Sequence, residues 1–193
     1  MQRGLLAAYL SLCAPIAGQA AEFSIFDLMN TLSQVKESRA TFVEEKHLAA
    51  LTEPLRLRGD LDYRAPAHLV KRTVAPIEET IEVDGSQLSI VHPREGKRQS
   101  LSLDSYPEIK VFVVAIRATL AGDLDTLRDS YEVGFSGTPE AWELTLVPRS
   151  RRVREFLRVV LISGTGQQMT RMEMIEGSGD SSLMTIQTSS GAR

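Results

Sequence analysis

Apolar and charged residues alternate through the segment Leu55-Arg56-Leu57-Arg58-Gly59-Asp60-Leu61-Asp62-Tyr63. A period of two places every second side chain on the same face, so this segment predicts a β-strand with one buried and one charged face. The alternation returns over residues 81–83, stops at the hairpin signal Asp84-Gly85 and resumes over residues 88–90. We therefore expect an antiparallel sheet.

Helical periodicity flanks this strand-rich part. Over residues 25–35 the apolar side chains recur at spacings of three and four, and Ser24 with Asp27 is a helix start signal. A second helix is predicted from Pro107 to Gly122, with a short one over residues 123–128. Further strands are predicted over residues 101–103, 131–135, 142–147, 153–162, 169–175 and 183–188. This order predicts an α+β fold with one large antiparallel sheet and a single domain over residues 21–193.

Charge and composition argue against several functional classes. The 193 residues include 22 Lys+Arg and 25 Asp+Glu, a formal charge of −3, which does not suit a polybasic nucleic-acid surface. One cysteine allows neither a disulfide framework nor a cysteine-based zinc site. The histidines, His47, His68 and His92, stand apart without metal-ligand spacing. We predict no metal, no cofactor and no catalytic residue, although a Ser-His-Asp triad assembled from distant positions stays open.

The N-terminus has the pattern of an export signal. Arg3 is followed by an almost uninterrupted apolar run, and small residues precede a cleavage site before Ala21. Residues 1–20 are therefore predicted to be a cleaved signal peptide. The rival is a lipoprotein signal at Cys13, but Leu12 stands where that processing normally requires a small residue.

Two local features have more than one interpretation. The basic residues 149–154 form either a solvated hairpin loop or a docking surface for anionic headgroups or an acidic partner. The methionines of the last strands either fill core gaps or line an adaptable apolar surface. Met169 and Met172 cannot share one face of a regular strand.

Several motifs together resemble a known family. Gly59-Asp60-Leu61-Asp62-Tyr63-Arg64-Ala65-Pro66 and Ile81-Glu82-Val83-Asp84-Gly85-Ser86-Gln87-Leu88 resemble segments of the bacterial periplasmic outer-membrane lipoprotein carriers, the LolA-like family. Residues 39–46 resemble the first strand of that family, and the order of elements agrees from about residue 23 to 188. The resemblance implies a monomeric, incomplete and strongly curved antiparallel barrel, an open β-barrel whose mouth is covered by helices.

The resemblance also implies a function. The family's carriers move lipoprotein acyl chains across the periplasm, from an inner-membrane donor transporter to an outer-membrane acceptor. An acyl chain exposed to water costs about 0.8 kcal/mol per CH₂, so such transit requires an apolar enclosure. The cargo expected here is an acylated lipoprotein or another lipid-modified molecule, such as a glycolipid. The residues expected to line the acyl cavity are Phe42, Leu57, Leu61, Tyr63, Leu69, Ile81, Val83, Leu88 and Ile90, with Phe112, Val113 and Ile116 as its lid.

Two alternatives accompany this interpretation. The same apolar residues could fill a dry core, as in any small sheet protein. The fold could also serve as a periplasmic sensor or interaction module that binds a membrane-protein partner through its convex face, which an exposed apolar patch without a cavity would favour.

One position departs from the family pattern. The family's arginine immediately precedes the proline and hydrogen-bonds to the lid helices, whereas here Ala65 precedes Pro66 and the arginine is Arg64. A one-residue offset sends a strand side chain to the opposite face. Either a bulge returns Arg64 to the mouth as a lid latch, or this latch is missing. We expect the latch to be missing and the lid to be held by apolar contacts.

Overall fold

The computed structural model describes residues 22–188, apart from the side chain of Glu108. The predicted signal peptide (residues 1–20), its cleavage site and Cys13 lie outside the described residues. The helices are α1 (Ile25–Ser33), α2 (Pro107–Ala121), α3 (Leu124–Ser130) and the single turn α4 (Arg151–Arg154). The strands are β1 (Glu37–His47), β2 (Leu55–Arg64), β3 (His68–Ala75), β4 (Glu79–Asp84), β5 (Gln87–His92), β6 (Lys97–Ser102), β7 (Tyr131–Thr138), β8 (Ala141–Pro148), β9 (Leu157–Thr165), β10 (Gln168–Glu176) and β11 (Ser181–Thr188).

Within residues 22–188 all eleven strands join one antiparallel sheet, in the order β6-β5-β4-β3-β2-β1-β11-β10-β9-β8-β7. Strands that are consecutive in the chain are neighbours in the sheet, except β6 and β7. In addition β1 pairs with β11, so the last strand of the chain closes against the first. β6 and β7 are the two edges, and the sheet is not closed into a barrel. The predicted α+β class with an incomplete antiparallel barrel is confirmed.

Local signals in the sequence determine where the helices begin and end. Ser24 and Asp27 form a capping box at the start of α1, with the Ser24 amide 2.9 Å from an Asp27 carboxylate oxygen. Pro107 lies in the first turn of α2, and Gly122 ends this helix with a φ of +67°. A Cβ on Gly122 would lie 2.1 Å from the Met29 carbonyl oxygen, so the α2–α3 corner can approach α1 only with glycine there.

Three local predictions are wrong. Residues 101–103 were expected to be a strand, but β6 ends at Ser102 and a 3₁₀ turn begins at Leu103. The strand expected over residues 153–162 begins only at Leu157, because Ser150 caps the turn α4 by accepting a hydrogen bond from the Val153 amide.

The third correction concerns the methionines of β10. Met169 and Met172 are both buried in the same apolar cluster. A register shift against β9 falls between Met169 and Arg171, so β10 is not regular there. Such a bulge offsets the alternation by one residue and turns both thioethers inward.

Helices α1, α2 and α3 cover one face of the sheet, which we call the inner face. It carries two clusters of buried apolar side chains. The larger lies between the helices and strands β1 and β7–β11 and includes Leu28, Phe42, Trp142 and Ile162. The smaller lies between α2 and strands β3–β6 and is built on Val83, Leu88, Leu103 and Val113.

No helix in the described part of the chain is long and apolar enough to cross a membrane.

Candidate functional site

The predicted wall residues divide between the two clusters. Phe42 is buried in the larger cluster, and Leu57 and Leu61 pack against it. Val83 and Leu88 are buried in the smaller one. Leu69, Ile81 and Ile90 pack against the smaller cluster but stay partly exposed, as do Leu101 and Ile109. In the smaller cluster the partly exposed apolar residues outnumber the buried ones, whereas in the larger cluster the buried ones predominate, and in this sense we call the half around the smaller cluster loosely filled.

Helix α2 separates the two halves. Phe112 and Ile116, one turn apart, pack against the larger cluster, whereas Ile109 and Val113 contact the smaller one. Residues four apart lie on the same helical face, and residues 112 and 113 point about 100° apart. The predicted lid residues thus belong to one helix but not to one surface.

Tyr63 lies at the boundary between these halves. It follows Leu61 on the inner face of β2 and pairs across strands with Leu69 of β3. Its residue is only 5% exposed, yet its hydroxyl has no hydrogen-bond partner among the described residues. Burial raises the pKa of the phenol, and the positive charge of Arg117 partly offsets this rise. The hydroxyl is therefore a neutral, unused donor inside the fold.

Arg117 extends from α2 to the far side of the smaller cluster. It lies one turn beyond Val113, and its Nη1 donates to the carbonyl oxygen of Gly85 at 2.6 Å. Gly85 is in the β4–β5 turn, next to the end of the strand pair that carries Val83 and Leu88. The helix is thereby attached to the β4–β5 turn by one charged hydrogen bond.

A second polar group is buried on the inner face. Glu44 of β1 is 4% exposed; Lys71 Nζ and Ser182 Oγ both donate to its carboxylate, the latter at 2.6 Å. Lys46 Nζ lies 3.7 Å away, and Lys71 also lies 4.9 Å from the centre of the Phe42 ring. Burial pushes the pKa of Glu44 upward, but Lys71, Ser182 and Lys46 outweigh it and hold this pKa below its ordinary value.

Arg64 lies away from the lid helix. Pairing of β2 with β1 is regular at Tyr63 and Arg64, so these neighbours point to opposite faces. The Arg64 side chain is 67% exposed, and its Nε is 3.6 Å from a carboxylate oxygen of Glu37. A register shift in β2 occurs earlier, between Arg58 and Gly59.

The remaining candidates lie on the surface. His68 and His92 are each 3.9 Å from a glutamate, and the described residues hold no group of three metal-ligating side chains. The basic residues 149–154 form the turn α4 rather than a plain loop. Arg149 Nε donates to the carbonyls of Arg128 and Tyr131, and Arg154 Nη1 to those of Pro148 and Arg149, so two of these arginines hold the backbone together.

Two surface cavities lie elsewhere. One of about 240 Å³ is formed by the β1–β2 connection and the turn at Gly179. The other, of about 380 Å³, lies between α1 and the α2–α3 corner, beside the exposed Phe26. The predicted wall residues line neither of them.

A family model described as outer membrane lipoprotein carrier protein LolA-like matches residues 17–192. The chain belongs to the LolA-like family. The resemblance seen in the motifs around Gly59 and Gly85 is thereby confirmed. Membership indicates a binding or carrier module that works outside the cytoplasm. No curated protein matches the sequence.

Solved structures similar to this LolA-like chain share little sequence with it. A LolA superfamily protein from Nitrosomonas europaea is 11% identical over 86% of this chain and 92% of that chain, with a TM-score of 0.46. The Pseudomonas aeruginosa MucA/MucB complex contains a chain that is 15% identical over 88% of this chain and 58% of that chain, with a TM-score of 0.46. The complex of the CwlD amidase from Clostridioides difficile with the GerS lipoprotein contains a chain that is 12% identical over 79% of this chain and 84% of that chain, with a TM-score of 0.40.

Sequence reasoning missed the polar residues of the LolA-like inner face. Arg117 follows Val113 by four positions, and this spacing alone could have placed it on the same side of α2. Glu44 follows Phe42 by two positions in β1, which puts both on one face. Nothing in the sequence indicated that Lys71 and Ser182 would meet Glu44.

Proposed function

We propose that this protein is a non-enzymatic periplasmic carrier that binds the acyl chain of a lipid-modified cargo between α2 and the inner face of β2–β5. One observation carries the proposal. Aliphatic side chains of the inner face and of α2 remain partly exposed around the smaller cluster, although a filled core would bury them. They are Leu69, Ile81, Ile90, Leu101 and Ile109.

The energetics of an acyl chain suit such a surface. Each methylene removed from water contributes about 0.8 kcal/mol, so ten methylenes between α2 and the sheet contribute about 8 kcal/mol. Separating α2 from the sheet breaks the contacts of the four buried residues of the smaller cluster. Because the acyl chain would replace those contacts, the gain from burying its methylenes exceeds the cost of the separation. The cluster around Val83 and Val113 is small enough to be opened, while the larger cluster holds the fold.

Cargo and partners follow from the same proposal. The cargo is an acylated lipoprotein or another lipid-modified molecule, received from an inner-membrane donor transporter and delivered to an outer-membrane acceptor. The carrier acts as a monomer and uses no cofactor, metal or nucleic acid.

Native mass spectrometry of the protein exported to the periplasm tests this proposal directly. The expected result is a complex with one acyl-containing ligand, which lipid extraction then identifies. The mature N-terminus is measured in the same experiment, and cleavage before Ala21 with an unmodified chain is expected. A protein lipidated at Cys13 would contradict a diffusible carrier.

A fluorescent fatty-acyl probe locates the site. Ile81→Glu puts a carboxylate into the loosely packed half and should abolish probe binding, because a charge on this surface must stay hydrated. Val43→Glu is the matched control, since Val43 is 53% exposed on the outer face of β1. Circular dichroism confirms that both variants fold. If the unmodified protein binds neither ligand nor probe, the carrier proposal fails and the interaction module takes its place.

A further inference from the structure

The Tyr63 hydroxyl is a donor that the fold leaves unused. Its residue is 5% exposed, and no described atom accepts its hydrogen bond. Burying a hydroxyl without a partner costs stability, so an apolar residue would serve better there if packing were its only task. A buried, unpartnered donor beside a loosely filled apolar surface indicates a ligand with an acceptor oxygen.

Arg117 supplies a second donor, at the β4–β5 turn beyond the inner-face neighbours of Tyr63. Its guanidinium has five N–H groups, and the hydrogen bond to the Gly85 carbonyl uses one of its nitrogens. Burial raises the pKa of the Tyr63 phenol, and the positive charge of Arg117 lowers it by a smaller amount. Among the described residues, Arg117 forms no ion pair within 4.0 Å.

The row of side chains between the two donors is apolar. From Tyr63 the inner-face partners across the strands are Leu69, Val83 and Leu88, with Gly85 just beyond Val83. Four strands about 4.8 Å apart span roughly 14 Å, with the phenol carried by β2 and the guanidinium at the β4–β5 turn, so a group that binds both lies over this apolar row.

We propose that Tyr63 and Arg117 form a polar subsite that binds the carbonyl end of the acyl chain, either a fatty-acid carboxylate or an ester carbonyl. The guanidinium can only donate and the phenol has a free O–H to donate, so a ligand atom that contacts both must accept, and the acyl carbonyl is the acceptor nearest to an acyl chain. This subsite rests on the proposed carrier function. It adds the orientation of the chain, with the carbonyl beside Tyr63 and the methylenes along Leu69, Ile81 and Ile90.

The lysines of the inner face do not compete for this ligand, since Lys46 Nζ lies 3.7 Å from the Glu44 carboxylate. Lys71 is already held by Glu44, next to Phe42 and one row away from Tyr63. A carboxylate entering beneath α2 therefore meets Arg117 as the cation with unused donors.

Binding of three twelve-carbon compounds tests the subsite by displacement of a fluorescent acyl probe. Dodecanoate, methyl dodecanoate and dodecane share the chain and differ at the carbonyl. We expect dodecanoate to bind most tightly and dodecane least. Tyr63→Phe should weaken dodecanoate and the ester about tenfold or more while leaving dodecane unchanged, since one hydrogen bond is lost.

A variant of Arg117 tests whether the bound carbonyl belongs to a carboxylate or to an ester, and a variant of Tyr106 is its control. Arg117→Gln should remove the preference for dodecanoate over the ester, because it deletes the charge but keeps Tyr63. Tyr106→Phe is the matched control, a phenol deletion at a partly exposed residue before α2, and should change no affinity. Without ligand, Tyr63→Phe should unfold at the same temperature as the unmodified protein or at a higher one. If the Tyr63 hydroxyl made a structural hydrogen bond, its removal would lower the thermal midpoint instead.

The outcomes separate the two proposals. If all three compounds bind alike and Tyr63→Phe changes nothing, the subsite is refuted and the carrier stands. A fall in the thermal midpoint of the empty Tyr63→Phe variant also refutes the subsite. If no compound displaces the probe, or no probe binds, the carrier function fails and the subsite fails with it.

Discussion

Removing the Lys71 ammonium should destabilise the protein strongly, because it leaves a carboxylate buried without its main partner. Lys71→Met keeps the length and apolar stem of the side chain and deletes the charge. Glu44, with a side chain only 5% exposed, would retain the Ser182 hydroxyl and the more distant Lys46. The change therefore isolates the charge pair from the packing around Phe42.

The expected loss is about 3 kcal/mol. Breaking a buried ion pair costs 3–5 kcal/mol, and we take the low end because the Lys71 side chain is 23% exposed and two partners of Glu44 remain. For a chain of this size the loss corresponds to a fall of about 6–12 °C in the thermal midpoint. The double variant Glu44→Met with Lys71→Met should recover most of it, since a buried pair is replaced by apolar groups of similar volume.

Urea unfolding at neutral pH measures these differences. The matched control is Arg56→Met, which breaks an exposed pair with Glu45, 3.0 Å apart, and should cost less than about 1 kcal/mol. If Lys71→Met and the double variant are equally stable, Glu44 does not depend on Lys71 and our account of the inner face is wrong.

Acidification should reduce the difference in the free energy of unfolding between the unmodified protein and Lys71→Met. In the unmodified protein the lowered pKa of Glu44 contributes stability that is complete above the ordinary glutamate pKa and is lost as the pH falls through the folded-state value. In the variant, burial acts on Glu44 with less opposition and its pKa should rise, so protonation relieves the penalty. Urea titrations at several pH values measure how the free energy of unfolding of each protein depends on pH. A stability difference that increases in acid would contradict the expected direction.

Two further substitutions test the lid and the sheet. Arg64→Leu should leave the dissociation rate of an acyl probe unchanged and alter stability by less than about 1 kcal/mol, because Glu37 is the one ion-pair partner of Arg64 among residues 22–188. A large change in probe release, measured by stopped-flow fluorescence, would restore Arg64 as a latch. Gly164→Ala should destabilise by several kcal/mol, about 3 or more, because the added Cβ would lie 2.1 Å from the Gln168 carbonyl oxygen and 2.2 Å from the Trp142 ring. A thermal midpoint within about 2 °C of the unmodified protein corresponds to a loss of less than about 1 kcal/mol. That result would show that β9 can shift to accept the methyl group with little loss of stability.

The local features of this fold could be predicted because their signals are local. Alternation around Leu61 and Tyr63 requires no knowledge of distant residues, and neither does the Ser24 capping box or the turn at Gly85, which has a φ of +56°. The short motifs around that alternation were also sufficient to indicate the LolA-like family, which the family match over residues 17–192 confirms.

Other features depended on tertiary structure, because they join residues that the chain keeps far apart. Glu44 and Ser182 are 138 positions apart and meet only because β11 closes against β1. The burial of both Met169 and Met172 depends on a bulge against β9, which cancels the strand period.

Packing density was likewise a tertiary outcome. Which aliphatic residues of a strand face inward could be predicted from the sequence, since this follows from the strand period. The position of α2 decided which half of the inner face is filled and which stays loose. It also placed Arg117 against the β4–β5 turn, because a helix presents residues to a sheet only after its crossing is set by the packing of its other faces.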